Sequence, residues 1–166
     1  MNYQDIMNIV LPFKNKLYRF ALRLVSNTHD AEEIVQDLLI KIWKKKEDFA
    51  KIENKEAWCM TVTRNLSYDR LRKRKRVHQE IETQYDLKDN MVTADVHLEQ
   101  KETLERIRNL IERMPEDLRT VIQLRDIEGY TYNEIAEITN WSISKVKVNI
   151  HRARKTLQLA ISQLEL

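Results

Sequence analysis

Between Glu137 and Glu165 the sequence holds no carboxylate, and inside that interval stand Lys145, Lys147, Val148, Asn149, His151, Arg152, Arg154 and Lys155. Cations at this density, with nothing nearby to neutralise them, suit a polyanion. The amide and imidazole among them can also hydrogen-bond to base edges. A second cationic run, DRLRKRKR, spans Asp69 to Arg76 and includes Arg72 and Arg74. Like charges so close along a helix repel one another, which makes nucleic-acid contact a better explanation than a merely solvated face. Trp58, Asn65 and Tyr68, upstream on the same segment, add stacking and amide groups, a mixture that suits strands whose bases are splayed out. Catalysis has no comparable set. There is no glycine-rich phosphate loop and no metal-ligand cluster, and His29, His78, His97 and His151 are scattered. The lone Cys59 excludes an internal disulfide and reads as a half-buried helix residue.

The elements that must carry these groups are helices. Thr131 and Glu134 have the spacing of a capping box, so a helix is expected from about Tyr132, with Ile135, Ala136 and Ile138 on its apolar side. It must stop near Asn140, which tolerates the left-handed conformation. Ser142 can cap a second helix, whose buried stripe is Ile143, Val146, Ile150, Ala153 and Leu157. Two short helices, a turn and a basic second helix describe a helix-turn-helix that enters a major groove. Upstream, Leu98 to Ile111 is periodic, MPED starts a further helix with Leu118, Val121, Ile122 and Leu124 inside, and Gly129 is its expected left-handed cap.

In the N-terminal half, Leu17, Phe20, Ala21, Leu24 and Val25 define a helix ending near Ser26, and Asp30 is the expected cap of the next. That second helix has Ile34, Val35, Leu38, Leu39, Ile42 and Trp43 as its apolar face and Glu32, Glu33, Gln36 and Asp37 on an acidic face that needs no reading beyond solvation. KEDFAKIENKE reads as a loop. Asn54 caps a long helix from about Lys55 into the basic run.

With one Gly and two Pro among 166 residues, the chain is expected to be all-α. Residues 1–76 hold 17 Lys/Arg against 10 Asp/Glu, residues 77–96 hold one against five, and residues 97–166 hold 11 of each. This pattern predicts two small helical domains, 1–76 and 97–166, joined by a flexible acidic linker at 77–96. The linker's charge either keeps it off DNA or places it in a basic channel of a partner. No signal peptide and no long apolar run are visible, so a cytoplasmic protein is expected.

The run from Leu110 to Leu157 resembles region 4 of the small two-domain sigma factors of the sigma-70 family, the extracytoplasmic function (ECF) group. The matching features are the Met-Pro start, Arg119, the Glu128-Gly129 pair, Glu134-Ile135-Ala136, and Val146-Lys147 followed by His151-Arg152-Ala153-Arg154. DAEEIVQDLLIKIW resembles regions 2.1 and 2.2, and Ala57 to Arg76, with Trp58, Arg64, Asn65 and Asp69, resembles regions 2.3 and 2.4. Together they cover nearly the whole chain in the right order.

This resemblance implies a promoter-specificity subunit of bacterial RNA polymerase, with no catalytic chemistry, cofactor or metal of its own. It implies that Glu33, Gln36, Asp37 and Ile40 dock on the clamp helices of the largest polymerase subunit, reversing the solvation reading of that face. The flap of the second-largest subunit is a further implied partner. Asn54, Lys55, Trp58, Arg64, Asn65, Tyr68, Arg72 and Arg74 would hold the minus-10 element as a single strand. Lys147, Val148, His151 and Arg152 would face the minus-35 bases, with Asn149 beside them, while Lys145, Arg154 and Lys155 suit phosphates. A membrane-associated anti-sigma factor is a frequent partner in this group. Relatives often have Gly at Asn140, Ser at Val148, Arg at Asn149 and an aromatic at Leu39, so the minus-35 sequence read here is this chain's own. The main alternative is a stand-alone dimeric helix-turn-helix regulator of duplex DNA, which leaves the N-terminal basic helix without a task. A recombinase or nuclease would need a nucleophile or carboxylate cluster beside the basic face.

Overall fold

The computed structural model describes residues 1–82 and 98–164, and among these the regular elements are all helical. Helix α1 (Tyr3–Val25) opens on a reciprocal cap in which Asn2 Oδ1 accepts from the Asp5 amide at 2.9 Å and Asp5 accepts from the Asn2 amide at 2.8 Å. It closes where expected, at Ser26, whose φ of 54° reverses the chain. Its buried line includes Leu17, Phe20, Ala21, Leu24 and Val25.

Helix α2 (Thr28–Lys44) begins earlier than the sequence suggested. Asn27, not Asp30, is the cap, accepting from the Asp30 amide at 2.9 Å. Asp30 is thereby free for another task, pairing with Arg70 and Arg74. The buried face of α2 is also narrower than its apolar run, since Trp43 is exposed and Leu39 half-buried.

The stretch read as a loop contains a short helix, α3 (Lys46–Lys51). Phe49 holds it down, fully buried and tilted against Trp58 with ring centroids 5.4 Å apart. Helix α4 (Lys55–Glu82) starts under the Asn54 cap, where Asn54 Oδ1 accepts from the Ala57 amide at 3.0 Å. It runs through the whole basic segment and on to Glu82, so residues 77–82 are helix rather than linker. The rest of the expected linker, 83–96, lies outside the described residues. Cys59 is fully buried on α4, and burial pushes its thiol up to about 12. It is a packing residue.

In the C-terminal half, α5 (Leu98–Arg113) leads through Pro115 to α6 (Glu116–Ile122). α6 ends in a wide turn over Gln123–Ile127, in which the Glu128 amide donates to the Gln123 carbonyl at 3.0 Å. Such a turn changes the phase at which the chain leaves a helix. Gly129 follows at φ +79°, with no atom within 4 Å of where a Cβ would stand, so the backbone conformation rather than space calls for glycine. The box at Thr131 forms as expected, with Glu134 N to Thr131 Oγ1 at 3.2 Å and Thr131 N to Glu134 Oε2 at 2.7 Å, and it starts α7 (Tyr132–Thr139). Asn140 makes the turn at φ 57°. Ser142 Oγ accepts from the Lys145 amide at 3.2 Å and starts α8 (Ile143–Leu164). Val146, Ile150 and Ala153 are buried and Leu157 is half-buried, but Ile143, in the first turn before the helix meets its neighbours, is exposed.

The two sets of helices do not stand apart. One apolar cluster runs from Phe20 and Leu24 on α1 through Met60 and Tyr68 on α4 to Val121, Leu124, Ile138 and Val146 in the C-terminal half.

Candidate nucleic-acid interface

On α8 the side chains sort by helical phase. Lys147, Val148, His151, Arg152 and Lys155 are exposed and form a single outward stripe, and none makes an ion pair or side-chain hydrogen bond among the described residues. Lys145 and Arg154 flank the stripe and are engaged: Lys145 Nζ lies 3.1 Å from Asp117 Oδ2 and 4.2 Å above the Trp141 ring, and Arg154 Nε donates to Asp126 at 3.1 Å. Hydrogen bonding to Asp126 raises the Arg154 pKa further above its ordinary value. Exposed pairs of this kind contribute about 0–1 kcal/mol, so a phosphate can replace the carboxylate cheaply. Asn149 departs from the sequence expectation. It is 6 % exposed, and its Nδ2 has no partner in the protein. It stands three residues after Val146 and four before Ala153, so helical spacing puts it on the inner stripe, and polarity alone suggested otherwise.

On α4 the expected strand-binding residues split into three groups. Lys55 is turned back on its own loop, donating to the Ile52 carbonyl at 2.6 Å, and Trp58 packs on Phe49. Arg74 donates to the Val25 carbonyl at 3.1 Å and pairs with Asp30, which ties the basic run into its own bundle. The others, Asn65 apart, meet the C-terminal helices. Asn54 Nδ2 donates to Glu137 at 2.9 Å, and Arg64 lies 3.8 Å from Asp117 and stacks 5.3 Å from the Trp141 centroid. Tyr68, 2 % exposed, donates to the Glu116 carbonyl at 2.9 Å and shares a 2.8 Å hydrogen bond with Thr120, while Arg72 pairs with Glu116 at 2.9 Å. Burial pushes the Tyr68 phenol up. Asn65 is exposed.

On α2, residues 33, 36, 37 and 40 are spaced i, i+3, i+4, i+7 and share one face. Gln36, Asp37 and Ile40 are exposed, Ile40 at 50 %. Arg70 reaches across from α4 to Glu33 and, at 3.7 Å, to Asp37. Its hydrogen bond holds the Glu33 carboxyl below the ordinary glutamate value. Two of the four residues, Glu33 and Asp37, are therefore tied to a cation of α4.

Residues the sequence reading passed over join the two halves. Arg19 and Arg23 of α1 clamp Glu128, with Arg19 Nη2 to Oε2 at 3.0 Å and Arg23 Nη1 to Oε1 at 2.7 Å. Lys16 Nζ and the Tyr130 hydroxyl both donate to Glu56 Oε1, at 2.7 and 2.6 Å, and Thr61 Oγ1 donates to the Ile138 carbonyl at 2.7 Å. Burial pushes the Glu56 carboxyl up, but its bonds to Lys16 and Tyr130 outweigh that and leave it below its ordinary value. A depressed carboxyl stabilises fully above its unfolded pKa, about 4.3, and that contribution is lost as pH falls through the lower folded value. The stability difference between the parent and Glu56→Gln is therefore expected to be constant near neutrality and to shrink in acid, read from urea unfolding at stepped pH. A difference that persists far below the glutamate range would remove this pairing as its source.

A helix-turn-helix with an outward basic stripe, set beside a helix carrying aromatic, amide and guanidinium groups, defines a two-part helical protein for gripping nucleic acid at two places. Sequence comparison narrows the class. The sigma-70 region 2 family matches residues 9–77, and the family "Sigma-70, region 4" matches residues 104–157. The chain is 31 % identical to the ECF RNA polymerase sigma factor SigW of Bacillus subtilis, over 98 % of this chain and 90 % of the relative. It is 28 % identical to SigX of the same organism, over 88 % and 78 %. The chain belongs to the ECF RNA polymerase sigma factors. Among solved structures it is similar to the sigma factor RpoE of Bartonella quintana, in complex with the anti-sigma factor NepR, with TM-score 0.72 and 29 % identity over 96 % of this chain and 98 % of that one. The fold of CnrH, in complex with the cytosolic domain of CnrY, is also similar, with TM-score 0.69, 20 % identity and coverage of 98 % and 90 %. No helix among the described residues is long and apolar enough to cross a membrane.

Proposed function

We propose that this chain recruits core RNA polymerase to promoters bearing its own minus-10 and minus-35 elements and helps open them, as a cytoplasmic factor without catalytic chemistry. The observation that carries the reading is the outward stripe of α8, basic and unpaired, presented by a capped helix-turn-helix in a chain that also holds the region 2 helices. Lys147, Val148, His151 and Arg152 face the minus-35 bases, and Lys145, Arg154 and Lys155 take phosphates. Asn149 supports the helix from behind. The α4 line of Asn54, Trp58, Arg64, Asn65, Tyr68 and Arg72 receives the minus-10 strand, and Arg74 braces α4 against α2. The face of Glu33, Gln36, Asp37 and Ile40 docks on the polymerase clamp helices, and the C-terminal helices meet the flap. An anti-sigma factor is the expected negative partner.

The test is in vitro transcription from a library of promoter fragments with core polymerase, with and without the chain. Initiation at a defined set of promoters that depends on the chain is expected. Asp37→Lys, which places a cation on the docking face, is expected to reduce polymerase retention in a pull-down and to reduce transcripts in proportion. Initiation indifferent to the chain would overturn the reading, and retention of Asp37→Lys equal to the parent would overturn the docking assignment.

A further inference from the structure

The chemistry that α8 presents changes along its length. Lys147, His151, Arg152 and Lys155 face outward without partners among the described residues, but the end that begins at the Ser142 cap carries hydrocarbon as well. Ile143 is 44 % exposed and Val148 46 %. Ile143 stands one turn before Lys147, and Val148 one turn before Arg152, so each extends a line of free cations toward the start of the helix. Isolated apolar side chains on a surface need no account. These two differ, because cations that close on phosphates and bases take their apolar neighbours out of water with them.

A helix-turn-helix offers the N-terminal residues of its second helix to base edges. Asn149, the amide nearest that end, is buried on the inner stripe, and Lys145 is held by Asp117 and the Trp141 ring. The groups left free there are the Ser144 hydroxyl, the Lys147 ammonium and the branched hydrocarbon of Ile143 and Val148. On the major-groove edges of the bases, the thymine C5-methyl is the apolar group. An Ile or Val set against guanine O6 or cytosine N4 strips water from a strong acceptor or donor and returns no hydrogen bond, whereas against a thymine methyl it buries hydrocarbon on both sides. One contact thus favours an A·T pair and penalises a G·C pair. Ile143 and Val148 are separated by about 7.5 Å along the helix axis and about 140° around it, so one methyl cannot serve both.

We infer that Ile143 and Val148 read the methyl groups of two thymines in the minus-35 duplex, selecting two A·T pairs against G·C beside the polar readout by Lys147, His151 and Arg152. The inference rests on the proposed placement of α8 on the minus-35 element. It adds Ile143 to the base-reading residues and gives Val148 a defined target.

The experiment uses the full chain assembled with core polymerase and promoter duplexes randomised over the minus-35 region, from which the preferred element is selected by binding. Each thymine of that element, on either strand, is then replaced in turn by deoxyuridine, which removes the methyl and keeps every hydrogen-bonding group. A loss of about fourfold in affinity, the value of about one buried methyl, is expected at two positions. In Ile143→Ala the loss at one of them is expected to vanish, and in Val148→Ala the loss at the other. Ile143→Val, which keeps the branched methyls, is expected to behave as the parent. Both side chains are exposed, so circular dichroism of the alanine variants is expected to match the parent. A selected element without thymine, or deoxyuridine tolerated at every position, would overturn the inference, as would losses that persist in both alanine variants. A loss cancelled by only one variant overturns the role of the other residue. If the assembly enriches no minus-35 sequence at all, the placement of α8 on that element is itself overturned.

Discussion

Replacing Phe49 with alanine is expected to destabilise the folded chain by about 3–5 kcal/mol, the usual result of emptying a fully buried aromatic site. The ring is wholly buried, lies 5.4 Å from Trp58 and sits 5.8 Å below the Lys55 ammonium. It is the one buried side chain of α3, a helix too short to hold its shape alone. Removing it leaves a void beside Trp58 and under the Lys55 ammonium. A shift of the urea midpoint without a change in slope checks the magnitude. At temperatures where the variant is still folded, duplex minus-35 binding is expected to match the parent while promoter opening falls, because the damage is local to the minus-10 side. A loss under about 1 kcal/mol would mean that α3 collapses onto Trp58 and that Phe49 is not the support of the loop.

Much of this architecture was legible because it is local. The Thr131 box, Asn140 and Ser142 each fix one backbone event within a few residues, and each forms as the sequence implies. Asp30 has the spacing of a cap, but Asn27 offers an equally good acceptor three residues earlier, and spacing alone cannot rank two acceptors. KEDFAKIENKE reads as a loop because a helix of six residues with one anchoring ring has no periodicity to display. The polarity of Asn149 points outward, but its spacing from Val146 and Ala153 puts it inward, where it is buried. The joint between the halves was the hardest part. Its partners, such as Arg23 with Glu128 and Thr61 with Ile138, are separated by more than 70 positions, and each reads alone as ordinary surface. One signal was present. Helix α1 carries Lys14, Lys16, Arg19 and Arg23 against the single carboxylate Asp5, an imbalance that a distant acidic partner resolves. The basic run after Asp69 divides for the matching reason: Arg70 and Arg74, four residues apart, turn to the carboxylates of α2, Arg72 turns to Glu116 of α6, and Lys73, Lys75 and Arg76 are exposed.

Arg152→Ala is expected to weaken binding to a cognate minus-35 duplex by about 1–3 kcal/mol and to relax preference at the position its guanidinium reads. The stripe decides which cation on α8 has the largest effect. Arg154 is already satisfied by Asp126 and must exchange one anion for another, so its removal forfeits only a difference between two similar pairings. Arg152 has no side-chain partner among the described residues, stands beside Val148 and His151 on the outward face, and has no carboxylate within reach along its own helix. Its whole interaction with DNA is gained on binding. Lys155, at the far end of the stripe, is the phosphate control: Lys155→Ala is expected to weaken all duplexes alike and to lower the salt slope by about one. Titrating both variants against the cognate duplex and its single-base relatives separates the two roles. An Arg152→Ala profile parallel to that of Lys155→Ala would move Arg152 to the phosphates and leave Val148 and His151 as the base readers.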